Sequence, residues 1–171
     1  MRGAEQIPCP CCGGLLIVKG SRTRKYIDDT CNIVILMIRR LGCGCGRIHH
    51  ELPDILVPYK RYGRESIEAV ISPSVTPNGI PLSVAADDST LSRWRNWFRN
   101  YAAYMAACLV SAAIKYQKRT VESFSDLPES ALHRIWNFVK NTSGWLARTV
   151  RIVVNLNNWV HTRSAFMSRS R

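Results

Sequence analysis

Two short cysteine knuckles near the start of the sequence constrain the fold of this chain more than any other feature. Cys9-x-x-Cys12 has the standard spacing of a zinc knuckle, because the turn between two thiolates lets both reach one ion. Cys43-x-Cys45 is one residue shorter, but the glycines on both sides of Cys45 give its backbone the freedom to bend tightly. The two knuckles predict a structural Zn²⁺ site with the ligands Cys9, Cys12, Cys43 and Cys45.

Alternatives to this ligand set stay open. Cys11 competes with Cys12, and His49 or His50 could take the place of Cys45. We interpret the two histidines as structural or surface groups. A set of free thiols is a further alternative. A redox pair at the first knuckle is disfavoured, because a redox Cys-x-x-Cys normally opens a helix and the sequence that follows here is β-prone.

Cysteine usage and hydropathy bear on the compartment. The chain has seven cysteines, an odd number, and no apolar signal segment precedes the first knuckle, which predicts a reducing cytoplasm. Cys31 and Cys108 have apolar neighbours and are predicted to be buried thiols. The longest uncharged and mainly apolar run lies between Asn100 and Lys115. It is shorter than the roughly 20 residues of a membrane span, so we expect a buried helix and no membrane.

The residues between the knuckles predict a small antiparallel sheet. β-Prone runs at 15–18, 26–27 and 33–38 are separated by turn residues at 20–21 and 28–30. No helical periodicity competes in this stretch. From residue 51 onwards we expect an irregular exit segment.

The rest of the chain has a helical pattern. A short helix is expected over 64–71, and prolines and a glycine then interrupt regular structure over 72–81. From Ser89 onwards, apolar residues recur at steps of three and four, which predicts a long amphipathic helix. The other expected features are a helix beginning at 125–129, a helix over 145–159 and a frayed tail over 163–171.

The charge of the chain favours a polyanionic partner. Lysine and arginine total 24 against 12 acidic residues, a net charge of +12. Such a balance draws in nucleic acid through long-range attraction and counterion release. Residues 61–171 carry a net +8 of this charge. Double-stranded DNA is therefore the predicted partner, with RNA as an open alternative.

Residues 89–94 have the pattern of the start of a recognition helix, with a cap, a short polar turn and an apolar anchor. Recognition helices place their first-turn side chains in the major groove. Ser92, Arg93 and Asn96 are the predicted contacts to base edges, because arginine suits guanine and asparagine suits adenine. The predicted phosphate contacts are Arg95, Arg99, Arg39, Arg40, Lys60 and Arg61. A solvated face on a core helix is the alternative reading.

These patterns together predict an α+β fold class in two parts. A small antiparallel zinc ribbon occupies residues 1–62. An all-α domain resembling a helix-turn-helix unit occupies residues 63–171. The zinc would stabilise the ribbon and perform no chemistry.

Several strings closely resemble an uncharacterised bacterial domain family. They are CPCCGG from Cys9, IRRL from Ile38, CGRIHHELPD from Cys45 and VPYKRY from Val57. That family resembles the amino-terminal zinc-binding and helix-turn-helix region of insertion-sequence transposases. The resemblance implies a zinc ribbon and a DNA-binding unit of mobile-element ancestry. One departure is the second knuckle, which is normally Cys-x-x-Cys in the family.

We predict a protein without enzymatic activity. Four cysteines close the coordination sphere, so the metal lacks the open position that catalysis needs. A short transposase or recombinase would need several convergent carboxylates, and the region after residue 90 has three acidic residues near one helix start. The other alternative is a protein-interaction adaptor that binds its partner through tryptophans of the last helices, Trp136, Trp145 and Trp159.

Overall fold

The protein combines a mixed sheet with helices. The structure, a computed structural model, describes residues 8–9, 11–72, 84, 86–118, 120, 128–156 and, for the backbone alone, 165–168. Its elements are β1 (Leu16–Ile27), β2 (Ile33–Cys43), β3 (Ile48–Pro53), α1 (Arg64–Ile71), α2 (Asp88–Gln117), α3 (Ala131–Val139), α4 (Trp145–Asn155) and β4 (Ala165–Ser168). The predicted α+β class is confirmed.

The sheet has the strand order β1-β2-β3-β4. The first three strands are antiparallel, as predicted for the region of the knuckles. β4 pairs in parallel with β3, so that Ala165 lies opposite His50. The prediction of a frayed tail is therefore wrong for residues 165–168, because they form a strand paired with β3; residues 163–164 and 169–171 lie outside the described part of the chain.

The strand boundaries differ from the prediction at two places. No turn forms at 20–21, because β1 continues through a β-bulge between Val18 and Gly20. A bulge takes up an extra residue without ending the pairing, so the two runs predicted at 15–18 and 26–27 belong to one strand. The second difference is β3, which forms the third strand of the sheet although residues 51–53 were expected to be irregular.

The predicted turn at 28–30 is confirmed. The Asp28 carboxylate accepts hydrogen bonds from the backbone N–H groups of Thr30 at 3.0 Å and Asn32 at 2.8 Å. Cys31 sits in this turn with a positive φ of 66° and is exposed. The prediction that Cys31 is buried is therefore wrong, whereas Cys108 on α2 is buried as expected.

The helices follow the predicted order with shifted ends. α1 has the predicted bounds, and α2 begins one residue earlier than expected. α3 begins at Ala131, after the predicted start. The predicted breaks at 73–81 and the last residues predicted for α4, 157–159, lie outside the described residues. None of the helices in the described part of the chain combines the length and the apolar character that a membrane crossing requires.

One cluster of buried side chains joins the sheet to the helices. Ile38 and Leu52 come from the sheet, and Leu56 and Val57 follow it directly. The same cluster contains side chains of all four helices, with Trp145 among its largest members. The core therefore spans the predicted boundary between residues 62 and 63. The division into domains 1–62 and 63–171 stays a prediction.

Glu68 ties α1 to the start of α4. Its carboxylate accepts hydrogen bonds from the backbone N–H groups of Gly144 at 2.8 Å and Leu146 at 3.0 Å. A negative group at this end of a helix is favourable, because the unpaired amides carry a partial positive charge. Burial raises the pKa of Glu68, and the two amides together with Arg64 and Arg148 oppose that rise.

Asp87 is the N-cap of α2, and its contribution to stability is expected to depend on pH. Its carboxylate accepts hydrogen bonds from the Ser89 hydroxyl, the Thr90 hydroxyl and the Thr90 backbone N–H. These bonds lower its pKa to about 2. Because the folded pKa lies below the ordinary value of 3.8, the stabilisation is complete above that value and is lost as the pH falls towards 2.

Asp87→Asn tests this expectation, because asparagine also caps helices but does not titrate. The melting temperature of the wild-type chain minus that of Asp87→Asn should fall between pH 4 and pH 2. The measurement is thermal unfolding by circular dichroism at each pH, with Asp88→Asn as the matched control. A constant difference across this range would contradict the role of Asp87.

Candidate metal centre

The four cysteines predicted as ligands converge at one end of the β1–β2 hairpin. Their Sγ atoms all lie within 4.8 Å of one another. Cys12 Sγ is 3.3 Å from Cys43 Sγ, and Cys9 Sγ is 3.9 Å from Cys45 Sγ. These distances exceed the roughly 2 Å of a disulfide bond, and the seven cysteines form no disulfides. The cluster can hold a metal ion.

The first knuckle is a tight turn closed by its own backbone. Gly13 donates its N–H to the Cys9 carbonyl at 2.8 Å, and Cys9 donates its N–H to the Gly14 carbonyl at 2.8 Å. A Cβ atom at Gly14 would lie 3.3 Å from Cys12 Sγ and 3.5 Å from Cys43 Sγ. A side chain at this position would therefore crowd the sulfur atoms, so the glycine keeps the space beside them open.

The second knuckle is the turn between β2 and β3. Cys43 ends β2 and donates its N–H to the Arg47 carbonyl at 3.0 Å, while Gly46 donates to the Cys43 carbonyl at 3.0 Å. Gly46 has a φ of +81°, which favours glycine. This turn presents Cys43 and Cys45 on the same side in spite of their short spacing, as the sequence predicted.

Contacts within the cluster shift the pKa values of two thiols in opposite directions. Burial raises the pKa of Cys9, but hydrogen bonds from the backbone of Cys11 and Cys12 and from the Cys43 and Cys12 thiols lower it to about 6. A hydrogen bond from the Cys45 backbone lowers the pKa of Cys43. The contact with Cys12, burial, and the Cys9 and Cys45 thiols outweigh this bond and raise that pKa to about 12. The pKa of Cys9 is thus lowered and that of Cys43 raised, whereas a metal ion binds the deprotonated form of every cysteine ligand. Metal binding must therefore release protons.

His49 is a candidate ligand, although the sequence favoured a structural or surface role for it. Its side chain is 0 % exposed, and its Nε2 lies 3.3 Å from Cys9 Sγ. Its Nδ1 is buried without a hydrogen-bond partner among the described residues. Cys9, Cys11 and His49 form a second group whose ligand atoms lie within 4.8 Å. His49 is therefore no surface group. The donors close to it are Cys9 and Cys11, and the alternative in which it replaces Cys45 beside Cys12 and Cys43 stays a prediction.

The signal that places His49 in the site is the strand register. His49 pairs with Leu41, and Leu41 and Cys43 point to the same face of β2 because side chains alternate along a strand. Since sequence analysis placed no strand at this position, that signal became visible only once β3 was known.

The adjacent Arg39 and Arg40 point to opposite faces of the sheet. The Arg39 guanidinium forms a two-point ion pair with Glu51, in which Nη2 lies 2.8 Å from Oε1 and Nε contacts Oε2. Glu51 is only 5 % exposed, so this pair is engaged inside the protein. Arg40 is exposed on the other face. Of the two arginines, only Arg40 has its charge available to a partner.

Lys60 and Arg61 lie in the segment that leads from the sheet to α1. The Lys60 ammonium lies 4.5 Å from the centre of the Trp97 ring on α2, a cation–π contact. Burial lowers the pKa of Lys60. Arg61 is exposed. Lys60 therefore marks where the sheet region meets α2.

The residues predicted for base and phosphate contacts on α2 are all exposed. They are Ser92, Arg93, Arg95, Asn96 and Arg99. Trp94 and Phe98 are buried on the opposite side of this helix. The Arg93 guanidinium turns back and donates to the Ser89 hydroxyl at 2.8 Å and to the Ser89 carbonyl at 3.1 Å. The other four share one solvent-facing stripe.

The helix-turn-helix arrangement stays a prediction. Its proposed helices are α1 and α2, or a short helix around residues 82–86 and α2. Most of the residues between Ser72 and Asp87 lie outside the described part of the chain.

A comparison with protein families places the site in a known family of unknown function. The model of the domain of unknown function DUF6431 matches residues 9–94, half of the chain. The chain belongs to the DUF6431 family. The DUF6431 region begins at Cys9, contains all four clustered cysteines and His49, and ends at Trp94 near the start of α2. The comparisons with curated proteins and with solved structures gave no match.

Proposed function

We propose that this DUF6431 protein is a zinc-stabilised, non-catalytic protein that binds double-stranded DNA and has transposase-like ancestry. Four thiolates are the donor set of closed, structural zinc sites, and soft sulfur ligands favour Zn²⁺ over hard cations. Cys9, Cys12, Cys43 and Cys45 would hold the ion. The zinc would fix the first knuckle against the turn between β2 and β3.

The observation that carries the DNA proposal is the charge pattern of α2. After Asp88 the helix contains no acidic residue through Gln117. Its exposed stripe near the amino end combines Ser92, Arg95, Asn96 and Arg99. Arginine and asparagine side chains form hydrogen bonds with base edges and with phosphate oxygens. The positive charge of this stripe is not balanced by acidic side chains on α2, which favours a polyanion as its partner.

The adaptor alternative receives less support from the packing of the tryptophans. Trp145 is buried, and its ring centre lies 6.1 Å from that of Trp136 and 5.6 Å from that of Phe98. A side chain that fills the core cannot also bind a partner at the surface. Trp159, the third tryptophan of that alternative, lies outside the described residues.

The proposal predicts duplex binding that weakens steeply with salt. Log affinity should fall linearly with log salt, because each neutralised phosphate releases counterions. The double variant Arg95→Ala/Arg99→Ala is expected to lose about two units of that slope. The measurement is fluorescence anisotropy with a labelled random duplex at several salt concentrations, run in parallel with single-stranded RNA.

Lys115→Ala is the matched control for this experiment. It removes one positive charge from the other end of α2, where Lys115 is exposed. Because the double variant removes two charges, a loss of slope half as large in Lys115→Ala as in the double variant would mean that net charge and not the stripe drives binding. Tighter binding to RNA than to the duplex, or a flat salt dependence, would contradict the proposed function.

A further inference from the structure

Four basic side chains gather on one face of the sheet. Arg40 on β2 pairs across the strands with His50 on β3. Arg22 and Arg24 on β1 pair with Ile38 and Leu36, so they share the face of Arg40. None of these four side chains belongs to the metal cluster. This basic cluster, Arg22, Arg24, Arg40 and His50, lies where the buried side of the sheet reaches solvent.

In the part of the chain that the structure describes, no carboxylate forms an ion pair with a member of the basic cluster. The ion pairs among the described residues are Arg39–Glu51, Arg64–Asp54 and Arg64–Glu65. Like charges on neighbouring strands repel each other. The pKa of His50 is lowered by burial and then by Arg22, Arg40 and Arg24. The fold therefore keeps several positive groups together at an electrostatic cost.

Arg24 is held in place beneath the exposed members of the cluster. Its Nη2 donates to the Lys60 carbonyl at 3.0 Å. Its Nε is buried and has no hydrogen-bond partner among the described residues. Burial, followed by Arg22, lowers the pKa of Arg24, and Tyr59 opposes this. A fixed guanidinium of this kind is an oriented positive charge, with Arg22 and Arg40 exposed beside it.

The segment around Lys60 connects the basic cluster to α2. The Lys60 carbonyl receives Arg24, and the Lys60 ammonium lies on the Trp97 ring. Tyr62, two residues later, packs edge-on against Trp94 at 4.9 Å between ring centres. The basic cluster and α2 therefore belong to one packed unit, joined through the segment at Lys60 and Tyr62.

We propose that the basic cluster is a binding site for backbone phosphates of the nucleic acid that α2 contacts. The ligand is a phosphodiester because guanidinium groups match phosphate oxygens with paired hydrogen bonds. Phosphate contacts fix the position of a protein on a duplex without reading its sequence. The inference rests on the proposed function, and it assigns to the sheet a positioning role separate from that of α2.

Arg22→Thr and Lys25→Thr form a matched pair that tests the site. Both residues are exposed on β1, and each variant removes one positive charge. Arg22 pairs with Ile38 and Lys25 with Ile35, so the two side chains lie on opposite faces of the sheet. Threonine is favourable in strands. Arg22→Thr should lower the salt slope of duplex binding by about one unit, and Lys25→Thr should leave it close to that of the wild-type chain.

Thermal stability separates a binding role from a structural one. Arg22→Thr and Arg40→Thr are expected to melt at the wild-type temperature or above, because each removes repulsion within the basic cluster. A lower melting temperature together with an unchanged salt slope would assign these arginines to the fold and overturn the site.

The outcomes for the sheet and for α2 are distinguishable. If Arg95→Ala/Arg99→Ala lowers the slope and Arg22→Thr does not, the phosphate site on the sheet is wrong and the proposed function stands. If Arg22→Thr and Arg40→Thr lower it and the α2 variant does not, the site stands and the role of α2 is wrong. If the wild-type chain fails to bind duplex, the proposed function and this inference both fail. A titration with inorganic phosphate, followed by the NMR signal of Arg24 Nε–H, then shows whether another phosphate-bearing ligand uses the cluster.

Discussion

Cys9→Ser is expected to reduce the metal content from one ion per chain to nearly none and to unfold the metal-binding end of the sheet. Cys9 is the buried member of the cluster, and its Sγ approaches both Cys45 Sγ and His49 Nε2. It belongs to both groups of donors that can hold an ion. Because structural zinc sites contribute about 10–16 kcal/mol of apparent binding free energy in small domains, loss of this ligand should have a large effect.

The measurement is native mass spectrometry of the metal-loaded chain together with its thermal unfolding curve. Cys31→Ser is the control, because Cys31 is exposed in the turn at the other end of the β1–β2 hairpin. It should keep one ion per chain. One ion retained by Cys9→Ser at unchanged affinity would show that the ligand set is wrong.

A comparison of Cys45→Ser with His49→Ala then decides between the two alternatives for the fourth ligand. If Cys45 is a ligand and His49 only supports Cys9, Cys45→Ser should lose the ion. His49→Ala should then keep it with roughly 10–100-fold weaker affinity, the usual effect of removing a group that supports a ligand. The reverse order would assign the fourth position to His49.

Trp145→Ala is expected to cost about 3–5 kcal/mol of the free energy of unfolding. Its side chain is 2 % exposed and contacts Phe98 of α2 and Trp136 of α3. The indole N–H donates to the Ser72 hydroxyl at 3.0 Å, just after α1. The substitution therefore opens a cavity where all four helices meet. Since domains are stable by only about 5–15 kcal/mol, a large share of the stability would be lost.

Urea unfolding followed by circular dichroism measures this loss, with the metal concentration held constant. Trp145→Phe should recover part of the stability, because the aromatic ring remains and only the hydrogen bond and some volume are lost. Tyr116→Ala, at an exposed position near the end of α2, should change the unfolding free energy by at most about 0.5 kcal/mol. Equal losses in Trp145→Ala and Tyr116→Ala would contradict the central role of Trp145.

Local patterns explain what the sequence could predict. The spacing within each cysteine knuckle depends on a few neighbouring residues, so the convergence of Cys9, Cys12, Cys43 and Cys45 was predictable. The bounds of α1 follow in the same way from its short apolar period. The features that escaped prediction depend on distant partners. The bulge in β1 and the position of His49 both follow from pairing registers that no local pattern encodes.

The Arg39-Arg40 pair shows how a missed register misleads a functional reading. Two adjacent basic residues suggest one shared surface, but alternation along β2 sends them to opposite faces. Arg39 is held by the buried Glu51, while Arg40 joins basic residues of β1 and β3. Adjacency in sequence is therefore a poor guide to shared function wherever the backbone is extended.

The pairing of β4 with β3 has a consequence for the order of events during synthesis. The three strands that carry the cysteines are contiguous in sequence, so their hairpins can form and take up metal while the helices are still being translated. β4 is separated from β3 by all four helices. Until β4 is released from the ribosome, the outer edge of β3 remains open to pairing with strands of other chains. Docking of β4 therefore also protects newly made chains from association through this edge.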